Sequence, residues 1–324
     1  MILLDQISQL SDLGPTYLAV GVFDGVHRGH QAVIRRAVED HRREQAVVQA
    51  AAVVVTFHPH PMKILRPGNA PRLLTSTPHK LQFFAALGAT HCLTLAFDTQ
   101  FAATAPEDFI AALGRAGRPL REVCVGFNWS FGRGRAGNLD LLTRLGERFG
   151  FAVVGLPSVV VDGETVSSTL IRQAVERGDW EKAARMLGRE FSVLGTVVRG
   201  QQLGRQLGFP TANLAAHNEQ FPPDGVYAVV ADWRGATYPG VVNLGVRPTV
   251  AQPGGERLLE LHLLDFAQEI YGEDVEVRFR QFLRPEQKFA DLEELRTQIA
   301  RDVATARAVL AAADQPTLAR VTPN

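Results

Sequence analysis

The sequence predicts an α/β plus β chain: a parallel sheet with helices on both faces, then a small antiparallel β-barrel closed by a long helix. Three observations carry this. Between residues 17 and 157 short apolar runs alternate with helix-patterned segments, as in βαβ units. After Gly188 the pattern changes to alternating strands separated by glycine- and proline-containing turns. From about Pro285 to Ala312 one long helical pattern closes the chain. A length of 324 residues suits two domains, each with its own core, and the change of pattern sets the boundary at 1–187 and 188–324.

The elements follow in order. Tyr17–Val20 reads as a buried strand, and Gln31–Val38 carries a helix-compatible spacing through Ala32, Val33, Ala37 and Val38. Ala50–Phe57 is almost continuously apolar, as expected of a strand covered on both faces. Thr75-Ser76-Thr77-Pro78 supplies cap residues and a first-turn proline for a helix ending at Gly88. Cys92–Phe97, Glu122–Phe127 and Phe151–Pro157 are further strands. Helices open at Thr104-Ala105-Pro106 and span Leu139–Phe149. In the second half Phe191–Val198, Gly225–Asp232, Gly240–Leu244, Leu258–Phe266 and Val275–Phe282 read as strands. On the closing helix Phe289, Leu292, Leu295, Ile299 and Val303 form a stripe that should face the barrel.

Composition narrows the partners. Lys plus Arg and Asp plus Glu both total 34, so no overall field draws the chain to nucleic acid or an anionic membrane. No apolar run approaches membrane-spanning length. Met1–Leu13, with Asp5 and Asp12, lacks the basic-then-apolar pattern of a secretion signal. Cys92 and Cys124 lie in apolar stretches and read as buried free thiols of a reducing compartment. The expectation is a soluble, cytoplasmic protein.

The chemistry gathers at predicted strand ends, where open parallel sheets bind ligands. Gly21-Val22-Phe23-Asp24-Gly25-Val26-His27-Arg28-Gly29-His30 spans a strand-to-helix junction. A helix N-terminus there offers unpaired N–H groups and a positive dipole end. Gly25 and Gly29 permit tight turns, and His27 and His30 can donate to one phosphate. Nothing local supplies third and fourth ligands for a metal at these histidines. Thr56-Phe57-His58-Pro59-His60-Pro61 is a rigid segment whose histidines read as turn residues. In Gly126-Phe127-Asn128-Trp129-Ser130-Phe131-Gly132 the aromatics are either satellite core or the border of a planar ring, with Asn128 fixing a substrate. Ser167-Ser168-Thr169 forms an N-cap, and Arg172 lies one turn on, so hydroxyl and guanidinium can converge on an anion.

In the second half the densest signal is Gly204-Arg205-Gln206-Leu207-Gly208-Phe209-Pro210-Thr211-Ala212-Asn213. Gly204 and Gly208 let backbone N–H groups turn toward a phosphate, and Arg205 adds charge. The Thr211 hydroxyl and Asn213 amide oxygen are hard, neutral ligands suited to Mg²⁺ carried by a nucleotide. Downstream, Leu259, Leu261 and Leu263 share one side of a strand, leaving Glu260 and His262 on the other, where an exposed polar face suffices for His262.

Gly-x-Phe-Asp-Gly-x-His-x-Gly-His, the Gly-x-Asn loop and Ser-Ser-Thr-x-Ile-Arg, in that order, resemble the flavin nucleotidyltransferase module of bacterial bifunctional riboflavin kinase/FAD synthetases. The Gly204–Asn213 string matches the riboflavin kinase signature, as does Gly240–Thr249, and the two resemblances cover nearly the whole chain. They imply a Rossmann-like first domain using ATP to adenylylate FMN to FAD, and a barrel using ATP and Mg²⁺ to phosphorylate riboflavin to FMN. For the first site the resemblance implies nucleotide contacts at Gly21, Phe23, Asp24, Gly29, Ser168, Thr169 and Arg172. It implies catalysis by His27 and His30, and flavin binding, without an acid-base role, at Asn128. For the second it implies Glu260 as catalytic base within Leu-Glu-Leu-His-Leu-Leu-Asp-Phe. Arg284 and Phe289 of Arg-Pro-Glu-Gln-Lys-Phe would border the flavin.

Overall fold

The computed structural model describes residues 1–324 apart from 46–48, 118, 201–203, 205, 206, 248–255 and 314–324. The described chain divides into two compact units. One comprises Met1–Ile171 with Met186–Gly188, the other Arg172–Arg185 with Arg189 onward.

The first unit is built on six parallel strands: β1 (Ile2–Leu4), β2 (Thr16–Val20), β3 (Ala51–His58), β4 (His91–Ala96), β5 (Leu120–Gly126) and β6 (Ala152–Leu156). Their spatial order is β1-β4-β3-β2-β5-β6, so β2 and β3 are central. Side chains alternate across the sheet as strand geometry requires. Leu18, Val20, Val53, Val55, Val123 and Val125 face α3 (Pro106–Ala116) and α4 (Leu139–Phe149). Ala19, Ala52, Val54, Cys92 and Cys124 face α1 (Arg28–Gln45) and Phe84 of α2 (Thr77–Ala86). Burial on both faces explains why β3 reads as an unbroken apolar run. Ser76 caps α2 by accepting from His79 N–H at 3.3 Å, with Pro78 in the first turn. Both cysteines are free and buried.

Two helices follow, α5 (Ser168–Glu176) and α6 (Trp180–Leu187). The second unit is a closed antiparallel barrel of six strands: β7 (Ser192–Val198), β8 (Ala212–Ala216), β9 (Gly225–Trp233), β10 (Ala236–Arg247), β11 (Glu256–Leu263) and β12 (Asp274–Arg284). The order around it is β8-β11-β10-β9-β12-β7. Leu214, Tyr227, Val242, Leu244, Leu259 and Leu261 fill its interior. Trp180 of α6 stacks on Phe279 at 5.6 Å and meets Tyr227 edge-on at 5.8 Å.

The closing helix, α7, runs Leu292–Ala313 and not from Pro285. Asp291 starts it by accepting Glu294 N–H at 2.8 Å, while Glu294 takes Ala290 N–H at 2.8 Å. Residues 285–291 are therefore a linker, and Phe289 sits on it ahead of the helix. The stripe faces the barrel through Leu295, Ile299 and Val303 as expected and continues beyond them toward the C-terminus. Val303, Ala306 and Leu310 pack on Val226, Ala228 and Val241 of the barrel's outer face. Leu292 is 56% exposed.

Candidate active sites

In the first unit, β2 delivers the chain into a turn where Phe23, Gly25 and Val26 have φ of 54°, 83° and 41°. Left-handed backbone at Phe and at β-branched Val costs energy and persists only where neighbours impose it. Here they do. The Asp24 carboxylate accepts the N–H groups of Leu74 (3.3 Å) and Thr75 (3.1 Å), and the Thr75 hydroxyl at 3.3 Å. Gly25 N–H donates to Thr75 Oγ1 at 2.9 Å. The Lys80 ammonium and the Thr56 hydroxyl both donate to the Val22 carbonyl, at 3.3 and 3.1 Å.

Helix α1 starts directly after His27. His30 N–H donates to His27 Nδ1 at 3.3 Å, so His27 caps its own helix and its ring proton lies on Nε2. The rings of His27 and His30 stack at 3.5 Å, and Phe23 packs edge-on against His30 at 5.4 Å. A side chain at Gly29 would press on the His27 ring, with only 3.2 Å available at Cβ. The stack thus stands at the amino end of an 18-residue helix, where first-turn N–H groups and the dipole favour an anion.

Ser168 Oγ donates to the Asp24 carbonyl at 2.9 Å, bringing the start of α5 to the turn. Ser167 serves as the cap, accepting Leu170 N–H at 3.3 Å. Thr169 is exposed, and Arg172 lies one turn along α5. The Asn128 loop leaves the carboxyl end of β5, and its aromatics divide into a buried and an exposed set. Phe131 is core with Trp129 stacked on it at 4.4 Å, whereas Phe127 is 61% exposed beside exposed Asn128. His60 caps a short helix, accepting Met62 N–H at 3.1 Å, and His58 Nδ1 bonds the Thr77 hydroxyl at 3.1 Å.

In the barrel, one cavity on the outer face is lined by Thr211, Glu260, Arg284 and Phe289 together. Gly204 packs against Thr211, and Gly208 has φ 86°. Arg205 lies outside the described residues. Asn213 sits directly across from Glu260 in the β8–β11 register, with its amide against the Gly200 backbone. His262 is more than an exposed face residue. Its Nδ1–H donates to the Pro210 carbonyl at 2.8 Å and so anchors the segment before Thr211.

Arg284 is already engaged. Its guanidinium forks onto Asp302 of α7 with contacts of 2.8 to 3.0 Å, and its Cζ lies 5.8 Å from the Phe289 ring centroid. Leu295, Ile299 and Val303 complete the helix side of the cavity. Sequence reading missed Asn243 and Glu286, which also line it. Asn243 Nδ2 donates to Glu286 Oε1 at 3.1 Å. The Gly240–Thr249 motif contained the signal, although periodicity alone gives Asn243 no role.

Among the described residues no group of three or more His, Cys, Asp or Glu could hold a metal ion. No helix among them is long and apolar enough to cross a membrane.

Comparison with known proteins agrees with this geometry. Residues 9–170 match the family model for FAD synthetase, and residues 187–310 match that for riboflavin kinase. The bifunctional riboflavin kinase/FMN adenylyltransferase of Escherichia coli K12 is 40% identical over 291 residues, covering 90% of this chain and 91% of that protein. The Pseudomonas fluorescens protein of the same description is 42% identical over 293 residues, covering 90% and 92%. A crystal structure described as a macrolide-efflux protein from Streptococcus pneumoniae superposes with a TM-score of 0.77 at 28% identity. It covers 95% of this chain and 99% of that one. With two family models in series and relatives matched almost end to end, the chain belongs to the bifunctional riboflavin kinase/FMN adenylyltransferase family.

Proposed function

We propose that the barrel cavity is the riboflavin kinase site and that the stacked histidines at the start of α1 form the FMN adenylyltransferase site. The observation that carries the reading is that Thr211, Glu260, Arg284 and Phe289, well separated in sequence, line one cavity. Both reactions are displacements at phosphorus, where positioning and charge neutralisation dominate.

In the kinase, Glu260 accepts the proton of the ribityl 5′-hydroxyl as that oxygen attacks the γ-phosphorus of ATP. Gly204 and Gly208 permit backbone N–H groups to turn toward the phosphates, and the charge of Arg205 favours them. Thr211 and Asn213 offer neutral oxygens on either side of Ala212, one lining the cavity and one in register with Glu260. This donor set fits Mg²⁺ already carried by nucleotide phosphates better than a resident ion. When bound, Mg²⁺ offsets charge on the transferring phosphoryl group. Phe289, Leu295 and Ile299 present an apolar wall to the flavin ring, and Arg284, tied to Asp302, holds Phe289 in place.

In the adenylyltransferase the FMN phosphate attacks the α-phosphorus of ATP. The nucleophile is already anionic, so no strong base is required. His27 donates from Nε2 and His30 stands against it, so both meet charge developing on the α-phosphate and pyrophosphate. Gly21, Phe23 and Gly29 shape the approach, Asp24 positions the turn, and Ser168, Thr169 and Arg172 assist with the phosphates. Asn128, beside exposed Phe127, meets the flavin. Small soluble substrates throughout support a cytoplasmic enzyme that needs neither nucleic acid nor a membrane.

The test is reciprocal. H30A should abolish FAD formation from supplied FMN while riboflavin is still phosphorylated. E260Q should lower phosphorylation by about two to four orders of magnitude while supplied FMN is still adenylylated. Parallel loss of both activities in either variant would overturn the two-site assignment.

A further inference from the structure

The strand register lays one row of residues through the kinase cavity, starting from Asn213 just outside its lining. Asn213 on β8 lies opposite Glu260 on β11, Glu260 opposite Asn243 on β10, Asn243 opposite Val226 on β9, and Val226 opposite Arg284 on β12. Residues directly opposite one another project from the same face. The neighbours Leu214, Leu259, Leu244 and Tyr227 all point into the barrel, so this row points outward, and α7 covers its far end. Along it the chemistry changes in one direction, from neutral oxygen ligand to carboxylate, amide, aliphatic side chain and finally the Arg284–Phe289 corner.

Riboflavin has the same order of parts. Its 5′-hydroxyl is the reacting end, a chain of secondary hydroxyls follows, and the flat ring comes last. With Glu260 at the 5′-hydroxyl and the ring between Val226, Ile299 and Phe289, the hydroxyl chain crosses β10, about 4.8 Å from Glu260 by strand spacing. We propose that Asn243 is the residue that reads the ribityl hydroxyls and so fixes which flavins the kinase accepts. This rests on the kinase site described above.

Two local features suit Asn243 to the task. Its Nδ2 donates to Glu286 Oε1, which sets the amide plane and leaves the carbonyl oxygen to accept from a hydroxyl. The Glu286 carboxylate lies directly against Gly245, two residues along β10, a position that any side chain at Gly245 would occupy. Glu286 is thereby held over the strand beside Asn243, with a second carboxylate oxygen available to the polyol. Neither residue is needed by the chemistry at phosphorus. Both are polar side chains standing where only the hydroxyl chain would pass.

The experiment compares N243A, N243S and wild-type full-length protein in binding riboflavin and lumiflavin, the ring without the ribityl chain, by flavin fluorescence. Steady-state phosphorylation is measured alongside. N243A should weaken riboflavin binding and raise its KM roughly three- to tenfold, the loss of about one neutral hydrogen bond. Lumiflavin binding and the KM for Mg·ATP should be unchanged, and N243S should recover part of the loss. Equal weakening of riboflavin and lumiflavin would mean that Asn243 only shapes the pocket, and no change in either would mean that the hydroxyls pass elsewhere. Both outcomes overturn the assignment. E260Q serves as the control on the underlying site: if it phosphorylates riboflavin normally, the kinase site is misplaced, whatever N243A does.

Discussion

At the scale of single residues, the turn proposed for adenylylation depends on groups that its own motif does not contain. Lys80 is 6% exposed, and burial pushes its pKa down while the Asp24 carboxylate pulls it back up. Lys80 holds the Val22 carbonyl at the entry to a turn with three left-handed residues, so its charge state bears on the histidines that follow. K80M removes a cation whose field the Asp24 carboxylate feels and leaves the buried Val22 carbonyl without its Lys80 donor, at a cost of about 1–3 kcal/mol. We expect K80M to lower FAD formation at least tenfold and to destabilise the first unit, with riboflavin kinase activity retained. Because the depressed pKa lets Lys80 lose its proton earlier than an exposed lysine, adenylylation by the wild type should decline as pH rises on the alkaline side. K80R, which keeps its charge, should carry that decline to higher pH. A K80M enzyme with normal FAD formation would reduce Lys80 to core filling. The stacked histidines and the place of Thr211 and Asn213 beside Glu260 are legible because residue types and spacing single those stretches out, and the phosphate roles proposed for them rest on that same pattern. The motif marks Asp24 as a nucleotide contact, whereas its carboxylate is occupied by Leu74 and Thr75, far downstream. Lys80 lies in an ordinary helical pattern with nothing to mark it. Long-range partners of this kind carry no local sequence signal.

At the scale of elements, sequence reading errs where two physical signals compete. Strand β8 begins at the end of the Gly204–Asn213 string, where glycine, proline and asparagine mark turns, while barrel closure between β7 and β11 imposes an extended backbone on Ala212–Ala216. Pro285 looks like a first-turn proline, yet the Asp291/Glu294 box further on is the true start of α7. That difference leaves Phe289 on a linker that follows Arg284, the last residue of β12, and Arg284 ties strand and linker to the helix through Asp302. Asp302 is the buckle. It accepts from Arg284 and also from Gln298 Nε2 at 2.9 Å, and both ion-pair partners are largely buried. D302A would leave the Arg284 guanidinium without its partner, at a cost of about 3 kcal/mol to the barrel unit. It would also free Phe289 from the cavity. The expected result is a lower unfolding midpoint and a riboflavin KM raised several-fold, with adenylylation of supplied FMN unaffected. Unchanged KM in a destabilised protein would show that the strap stabilises the barrel without ordering the flavin wall.

At the scale of the whole molecule, the change of pattern at Gly188 marks where parallel architecture gives way to the barrel, but compactness does not follow the chain so simply. Residues 172–185 belong with the barrel and residues 186–188 with the sheet unit. The reason for the first is Trp180, whose ring meets Phe279, Tyr227 and Phe191. The reason for the second is Gln31, whose amide donates to the Leu187 carbonyl at 2.6 Å. Periodicity does not say which core receives the apolar side of α6. A barrel fragment should therefore begin at Arg172. We expect 172–324 to unfold cooperatively and phosphorylate riboflavin, since it holds Thr211, Glu260, Asn243, Arg284 and α7. A fragment beginning at Arg189 loses the Trp180 contacts, and its stability should fall by roughly 2 kcal/mol, somewhat less than for a fully buried tryptophan. Denaturant midpoints and kinase assays on both pieces decide the matter. Equal stability would make α6 a mere connector, and a folded but inactive 172–324 would mean that phosphorylation draws on residues of the first unit.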